Sequence, residues 1–570
     1  MMKKCFGLVF CFALLVPTLL HAVSTPNVPP ASPLYAQIDK LIAFGLVKSA
    51  VYGQRPWSRN EMARLTSEAL KKFGEKCPPE AGPPSAGETS PKACGFIGDI
   101  LDSLKREFRD EMIARGDQEG KRKNIDIHMI DTGSVEFLFT SAEFRAVPAD
   151  NGLGAIDARV NPFTTYKEGA HTVRGADFAI EADHWARLSK YASLYLRPRF
   201  TALVDYQGDG RADVTLQNAY AKFNIANFEI EAGRDAVLWG HSTEGGVLAS
   251  THVRPMDLVK ISNDSPFKLP WIFRHLGYNK YTFFVSTLGP ESIFKNALMY
   301  GFAASLKPAS FIELGFEHQF TFGGEGAPDI DFLDLLSEFF LYRRNGGGLN
   351  SANDGDNRFG LNVRIQIPRL RNTTLYAEGI FEDYGKESFF HQFTQQMAFQ
   401  SGVTIPLLTS NGKNSLRLQY EHIPAAYGRH GLWISGLSQN GLSRGSPYGS
   451  QSQTVSAEWG HLFSLRKRLN VRAMYTNNGD DQFTTTPSSS GGPDRVIKTV
   501  DNPQEHRFLV EGAITWPLSR RWTVEPQVGY EYAANFNFIQ NDDRQNIALG
   551  IVLTHDFGLS GFLPREIRAR

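Results

Sequence analysis

Hydrophobic positions along the chain recur with two different periods. Between residues 32 and 116 the spacing is three to four. Leu34, Ile38, Leu41 and Ile42 share one face; Met62, Leu65, Ala69 and Phe73 share another; Ile100, Leu101, Leu104, Phe108 and Met112 share a third. Such stripes predict three amphipathic helices, each burying one side. Ser32-Pro33 starts the first, which ends near Gly45. Ser58-Arg59-Asn60-Glu61 is a capping box for the second, serine and glutamate satisfying each other's free amides. The third is expected over about 98–115, and the whole of 32–118 is assigned to a small helical bundle.

From about residue 134 the period falls to two. In 310–322, Ile312, Leu314, Phe316, Phe320 and Phe322 face one way, with His318 the one polar interruption, while Glu313, Glu317, Gln319 and Thr321 face the other. In 358–367, Phe359, Leu361, Val363, Ile365 and Ile367 oppose Arg358, Asn362, Arg364 and Gln366. Leu194, Leu196, Phe200 and Val204 likewise oppose Tyr191, Tyr195, Arg197 and Arg199. A soluble sandwich also alternates, so the connections have to separate the two cases. Short links near 308–309, 368–372, 406–413, 464–467 and 517–520 alternate with longer polar loops at 323–357, 385–395, 423–452, 477–505 and 533–545. That is the pattern of an outer-membrane barrel. Trp185, Trp459, Trp516, Trp522 and Tyr532, near strand ends, suit its interfacial aromatic girdles.

Parity sharpens the count. About seventeen alternating segments are visible, roughly five before residue 235 and twelve from 280 onward. With the helical head and the C-terminus on the same side, the number of strands must be even. One more strand is therefore expected within 235–279, around 251–261. The expected fold is mainly β: a transmembrane antiparallel β-barrel of about eighteen strands over 130–558, with an N-terminal α-helical bundle and a C-terminal tail at 559–570.

Bulk composition fits that fold. Mean hydropathy is only −0.28, as it should be when alternate residues alone face lipid. No segment after the N-terminus holds ~20 consecutive apolar residues, which excludes a helical span there. The 60 basic and 60 acidic side chains balance, which gives no long-range pull toward nucleic acid. At the N-terminus, Lys3 and Lys4 precede an apolar run from Cys5 to Leu20, followed by Ala22 and Ser24. Residues 1–24 are read as a secretory signal peptide; the alternative, a retained anchor, would need a longer run. Its removal leaves Cys77 and Cys94 bracketing a Pro-rich insert, 77–94. An even count in an oxidising compartment points to a disulfide. Metal binding is the weaker alternative, since neither a Cys-x-x-Cys pair nor a nearby histidine supports it.

Catalytic and metal motifs are few. Gly240-His241-Ser242-Thr243-Glu244 misses the G-x-S-x-G nucleophile elbow, because Glu244 stands where the second glycine is needed and no βαβ pattern surrounds it. Asn353-Asp354-Gly355-Asp356-Asn357 lacks the register of a calcium loop. We expect no catalytic residue, no metal and no cofactor. Sugar binding is easier to place, since aromatic faces stack on sugar rings while Arg, Asn and Asp bond hydroxyls. Loop 423–452 combines Tyr427, Arg429, His430, Trp433, Arg444 and Tyr448, which suits a glycan surface; a self-packed cover over the barrel mouth has equal claim.

Several short motifs carry a family resemblance. Gly233-Arg234, Trp239-Gly240, Ser250 and Arg254-Pro255 are followed by Leu269-Pro270 and Leu276-Gly277. The head contributes Phe44-Gly45-Leu46 and Arg55-Pro56-Trp57-Ser58-Arg59. In order and context these resemble the capsule assembly Wzi family of outer-membrane proteins. The resemblance implies an eighteen-stranded barrel with its helical bundle at the periplasmic mouth, and a lectin-like role in binding and anchoring surface polysaccharide. It marks Arg234, Trp239 and Arg254 as structural or glycan-facing positions. Expected partners are a capsular or extracellular polysaccharide and outer-membrane lipid, with no nucleic acid and a monomer favoured. A porin for small solutes or sugars is the alternative, and a surface hydrolase using Ser242 a more distant one.

Overall fold

A computed structural model describes residues 23–77, 91–147, 150–154, 156–170, 172–290, 292, 294–340, 355–382, 397–430, 433, 436–486 and 495–557. Residues 1–22 of the expected signal peptide 1–24, residues 78–90 of the insert 77–94 and the C-terminal tail lie outside them, as do Asn353 and Asp354 of the calcium-loop motif.

The wall is a closed antiparallel barrel. In chain order its strands are β1 (Thr132–Thr140), β2 (Gly175–Ala182), β3 (Ala192–Asp205), β4 (Gly210–Ile225), β5 (Phe228–Asp235), β6 (Met256–Asn263), β7 (Tyr278–Thr287), β8 (Leu298–Ala309) and β9 (Ile312–Phe322). They continue as β10 (Gly355–Ile367), β11 (Thr373–Glu382), β12 (Ala398–Ile405), β13 (Asn414–Ile423), β14 (Ser452–Ser464), β15 (Lys467–Asn478), β16 (Glu505–Pro517), β17 (Trp522–Ala534) and β18 (Arg544–Asp556). Each pairs with the next, and β18 closes the ring on β1 through Leu549↔Phe139 and Leu553↔Val135. The eighteen strands match the number that parity requires, and the missing one is β6. It begins at Met256, five residues later than expected, because the residues before it are drawn into the lumen.

Alternation sorts the side chains. Ile230, Val259, Leu361 and Leu549 point outward and are exposed, whereas Glu229, Glu231, Lys260 and Arg358 point inward and are buried. The inner charges are paired: Lys222 Nζ lies 2.7 Å from Glu229 and Lys260 Nζ 2.9 Å from Glu231. An apolar outer belt around a charged, paired interior is what a hydrocarbon environment selects in a barrel.

The head comprises α1 (Pro33–Ala43), α2 (Arg59–Lys76), α3 (Pro91–Glu107) and α4 (Arg109–Arg115). Ser32 and Ser58 cap α1 and α2 through their hydroxyls. The third expected helix starts earlier, at Pro91, because its buried stripe runs back through Ala93, Phe96 and Ile97. It breaks at Phe108, and α4 stops at Gly116 in the left-handed region. A disulfide joins Cys77 to Cys94, linking the end of α2 to the start of α3. Ile38, Leu41, Trp57, Met62, Leu65 and Leu104 form the core of the head, and Leu407, Leu462 and Leu465 from the wall pack against it. The head thus sits at the short-turn end. Lys40 Nζ donates to the carbonyl of Pro406 at 2.6 Å, and Asn372 to that of Ala43 at 2.6 Å. Ser24, the last residue of the expected signal peptide, is buried and bonds the Ser193 hydroxyl at 2.9 Å.

Candidate functional site: a filled lumen

Three loops that leave the wall at its long-loop end turn inward: 141–174 after β1, 236–255 after β5 and 424–451 after β13. The middle one reaches deepest. Leu238–Trp239 pairs antiparallel with Gln54–Arg55 of the head, so loop and head meet inside the barrel. Gly240 N–H donates to the Gly53 carbonyl at 3.1 Å, and Arg55 Nη1 to that of Thr243 at 3.0 Å. Gly246 lies so close to the wall that a Cβ there would collide with the Glu378 carboxylate. That carboxylate accepts the Val247 N–H at 3.1 Å.

Polar bonds tie the loops to one another and to the strands. Glu168 and Gly169 donate their N–H groups to the carbonyls of Thr251 and His252 at 2.7 and 3.0 Å. Ser250 Oγ donates to the Gly445 carbonyl at 2.6 Å. Arg159 N–H bonds the Gly441 carbonyl at 2.8 Å, inside a small sheet shared by the first and third loops. Arg145 grips two wall strands at once, Glu505 at 2.7 Å and Glu531 at 2.8 Å, all three side chains buried. Arg417 of β13 holds Glu244 with two bonds of 2.6 Å and also pairs with Glu458. Charges removed from water in this way are tolerated only when paired and hydrogen-bonded.

The near-elbow is part of this plug. Ser242 is buried, and its hydroxyl donates to Glu244 at 2.9 Å and accepts from Arg417 at 3.0 Å. No hydrogen bond joins His241 to Ser242 among the described residues, so the base that would activate a serine nucleophile is not in place.

The sugar-facing candidates divide. Arg234 points outward from β5 and bonds Asp257 of β6 at 2.8 and 2.6 Å. Trp239, Tyr427, Arg429, Trp433, Arg444 and Tyr448 are all buried inside the plug. Trp239 packs on Phe284 at 5.5 Å between ring centres, and Trp433 meets Phe294 edge-on at 4.7 Å. Arg429 Nε donates to Ser450 Oγ at 2.7 Å, and Arg472 to the Tyr448 hydroxyl at 3.0 Å. Arg254 is half-buried, and its carbonyl accepts from Gln439 at 3.1 Å. These side chains of loop 423–452 thus pack against one another and against the wall. The deep role of Arg145, Glu244 and Arg417 escaped sequence reasoning altogether.

Between the first inward loop and the wall strands β14–β18 and β1, a cavity of about 220 Å³ remains. Lys167, Glu458, Asn470, Arg472, Glu511 and Gln527 line it, together with Phe163. Its two cations and two carboxylates balance, and Lys167 Nζ lies 3.4 Å from Gln527 Oε1.

The family model described as capsule assembly protein Wzi matches residues 158–548, from inside the first inward loop to the middle of β18. Among solved structures, the chain is similar to Wzi of Escherichia coli, described as an outer-membrane protein involved in group 1 capsule assembly and a carbohydrate-binding β-barrel. That match has a TM-score of 0.61 at 15% identity and covers 94% of this chain and 99% of that one. OccK5 (OpdH) of Pseudomonas aeruginosa matches with a TM-score of 0.39 at 8% identity, over 75% of this chain and 98% of that one. The outer-membrane protein OprD of Pseudomonas aeruginosa matches with 0.38 at 9% identity, over 75% and 93%. A search of curated proteins finds no match.

Proposed function

The chain belongs to the Wzi family of capsule assembly proteins, and we propose that it works in the outer membrane as a closed barrel that binds a capsular or extracellular polysaccharide and holds it at the cell surface. On this reading the long-loop end faces outward and the helical head lies in the periplasm. The observation that carries it is the filled lumen: three loops and the head occupy the space a porin leaves for solute, and buried ion pairs such as Arg145–Glu531 lock the filling to the wall. A barrel closed in this way is suited to holding a polymer, not conducting it.

The reading is non-enzymatic. Ser242 already uses its hydroxyl on Glu244 and Arg417, which supports a structural part for the near-elbow. Tyr427, Arg429, Trp433, Arg444 and Tyr448, with Trp239, then act on the polysaccharide indirectly, by holding the loop-end surface in one shape. The polymer meets the outer faces of the loops they support.

Deleting the gene and measuring cell-associated against released polysaccharide tests the proposal. The expected outcome is normal total polysaccharide with a larger released share. An unchanged cell-associated fraction overturns it.

A further inference from the structure

His318 interrupts the apolar outer face of β9, and the structure explains how. A fifth helix, α5 (Phe332–Phe339), lies on the outside of the barrel in the connection between β9 and β10. His318 Nε2 lies 2.8 Å from Asn357 Oδ1, and Asn357 Nδ2 donates to Glu338 of α5 at 2.9 Å. A polar group that would otherwise face hydrocarbon is thereby bonded and covered. Around this latch Phe339 packs against Phe283, Tyr300 and Phe302, with ring centres 5.6–6.2 Å apart. Leu335 and Ile330 join the same cluster.

The adjoining face of the helix is apolar and, among the described residues, largely bare. Phe332, Leu333, Leu336 and the following Phe340 recur at positions i, i+1, i+4 and i+8, and are 73%, 52%, 41% and 66% exposed. Its depth decides what covers that face. Phe302 is the fifth residue of β8 counted from the loop end, so Phe339 meets the wall about 13 Å along the strand below Leu298, at a rise of about 3.3 Å per residue. Leu298, Leu314 and Leu361 on the neighbouring wall are themselves bare and outward-facing. The helix therefore continues the apolar belt instead of standing above it.

We propose that α5 is an interfacial helix embedded in the outer leaflet, latched to the barrel by Glu338–Asn357–His318 and presenting Phe332, Leu333, Leu336 and Phe340 to lipid acyl chains. Such a helix lies in the plane of the interface with its apolar face among the chains. The proposal rests only on the membrane placement of the barrel, not on polysaccharide binding.

Spin labels at Leu336→Cys and Phe340→Cys in proteoliposomes test it, both at exposed positions that leave the packed face intact. Leu361→Cys on the bare wall reports the membrane placement separately, and Asp329→Cys in the connection serves as the aqueous reference. Both helix labels should collide with oxygen as the Leu361 label does, and with a water-soluble nickel chelate several-fold less than the Asp329 label. Nickel accessibility equal to that at Asp329, while Leu361 stays lipid-exposed, overturns the proposal. Dipolar broadening between helix labels also overturns it, because a second copy would then cover the face.

Discussion

Ile38, Leu41, Met62, Leu65 and Leu104 of the head have no exposed surface and touch chiefly one another. Where the plug meets the wall the corresponding work falls to ion pairs, Arg145 with Glu505 and Glu531 and Glu244 with Arg417, which join residues up to 386 apart in sequence. Apolar burial is non-directional and tolerates small shifts of packing. A buried ion pair depends on geometry, because the charge left behind when it breaks has no solvent to turn to. The head is built like a small water-soluble domain leaning on the barrel. The plug is built like an extension of the barrel's inner wall.

Replacing Arg145 with Met should expose this difference most strongly. Glu531 would lose its only ion-pair partner among the described residues, at a cost of about 3–5 kcal/mol. Denaturant unfolding in detergent micelles measures the loss, and proteolysis within 141–174 should rise with it. If stability is unchanged, the plug is not held by its ion pairs.

Leu41→Ala should cost about 3 kcal/mol through a cavity in the head's own core. The barrel should keep its heat-modifiable migration while the helices lose protection in hydrogen exchange. Barrel strands exchanging together with the helices would mean that head and wall form one cooperative unit, and the contrast would fail.

The smallest expected effect is a pH dependence at the head–wall contact. Burial pushes the Lys40 ammonium down to about 8, with Asp39 partly opposing it. Below about 8 folded and unfolded chains both carry the proton, and the burial cost stands in full. Between about 8 and the unfolded value of 10.5 the folded chain binds fewer protons, so stability rises with pH. Melting of the head at pH 7 and pH 10 should show that rise, and Lys40→Met should flatten it.

The same contrast decides what a reader of the sequence could see. Leu34, Ile38 and Leu41 repeat at helical spacing because the head buries one face of each helix. Leu314, Phe316 and Phe320 alternate because the wall has two unlike sides. Local periods made both regions legible, and loop lengths with parity located the strand now seen at Met256–Asn263. The plug has no period, since its bonds join residues distant in sequence and its backbone follows the lumen. Tyr427, Trp433, Arg444 and Tyr448 suggested a sugar surface because aromatic and guanidinium groups also suit a packed polar interior; composition alone does not separate the two. His318 is visible as an anomaly, and the helix that covers it has a local sign too: Asp331 as cap before Phe332, Leu333, Leu336 and Phe339, inside the connection 323–357 that its length made read as a polar loop.

Single-channel recording in planar bilayers tests the closed barrel most directly. With the plug tied to the wall by Arg145 and Arg417 and joined to the head at Trp239, the protein should insert and pass almost no steady current. A large, steady open current from the intact protein would contradict the account and restore the porin reading.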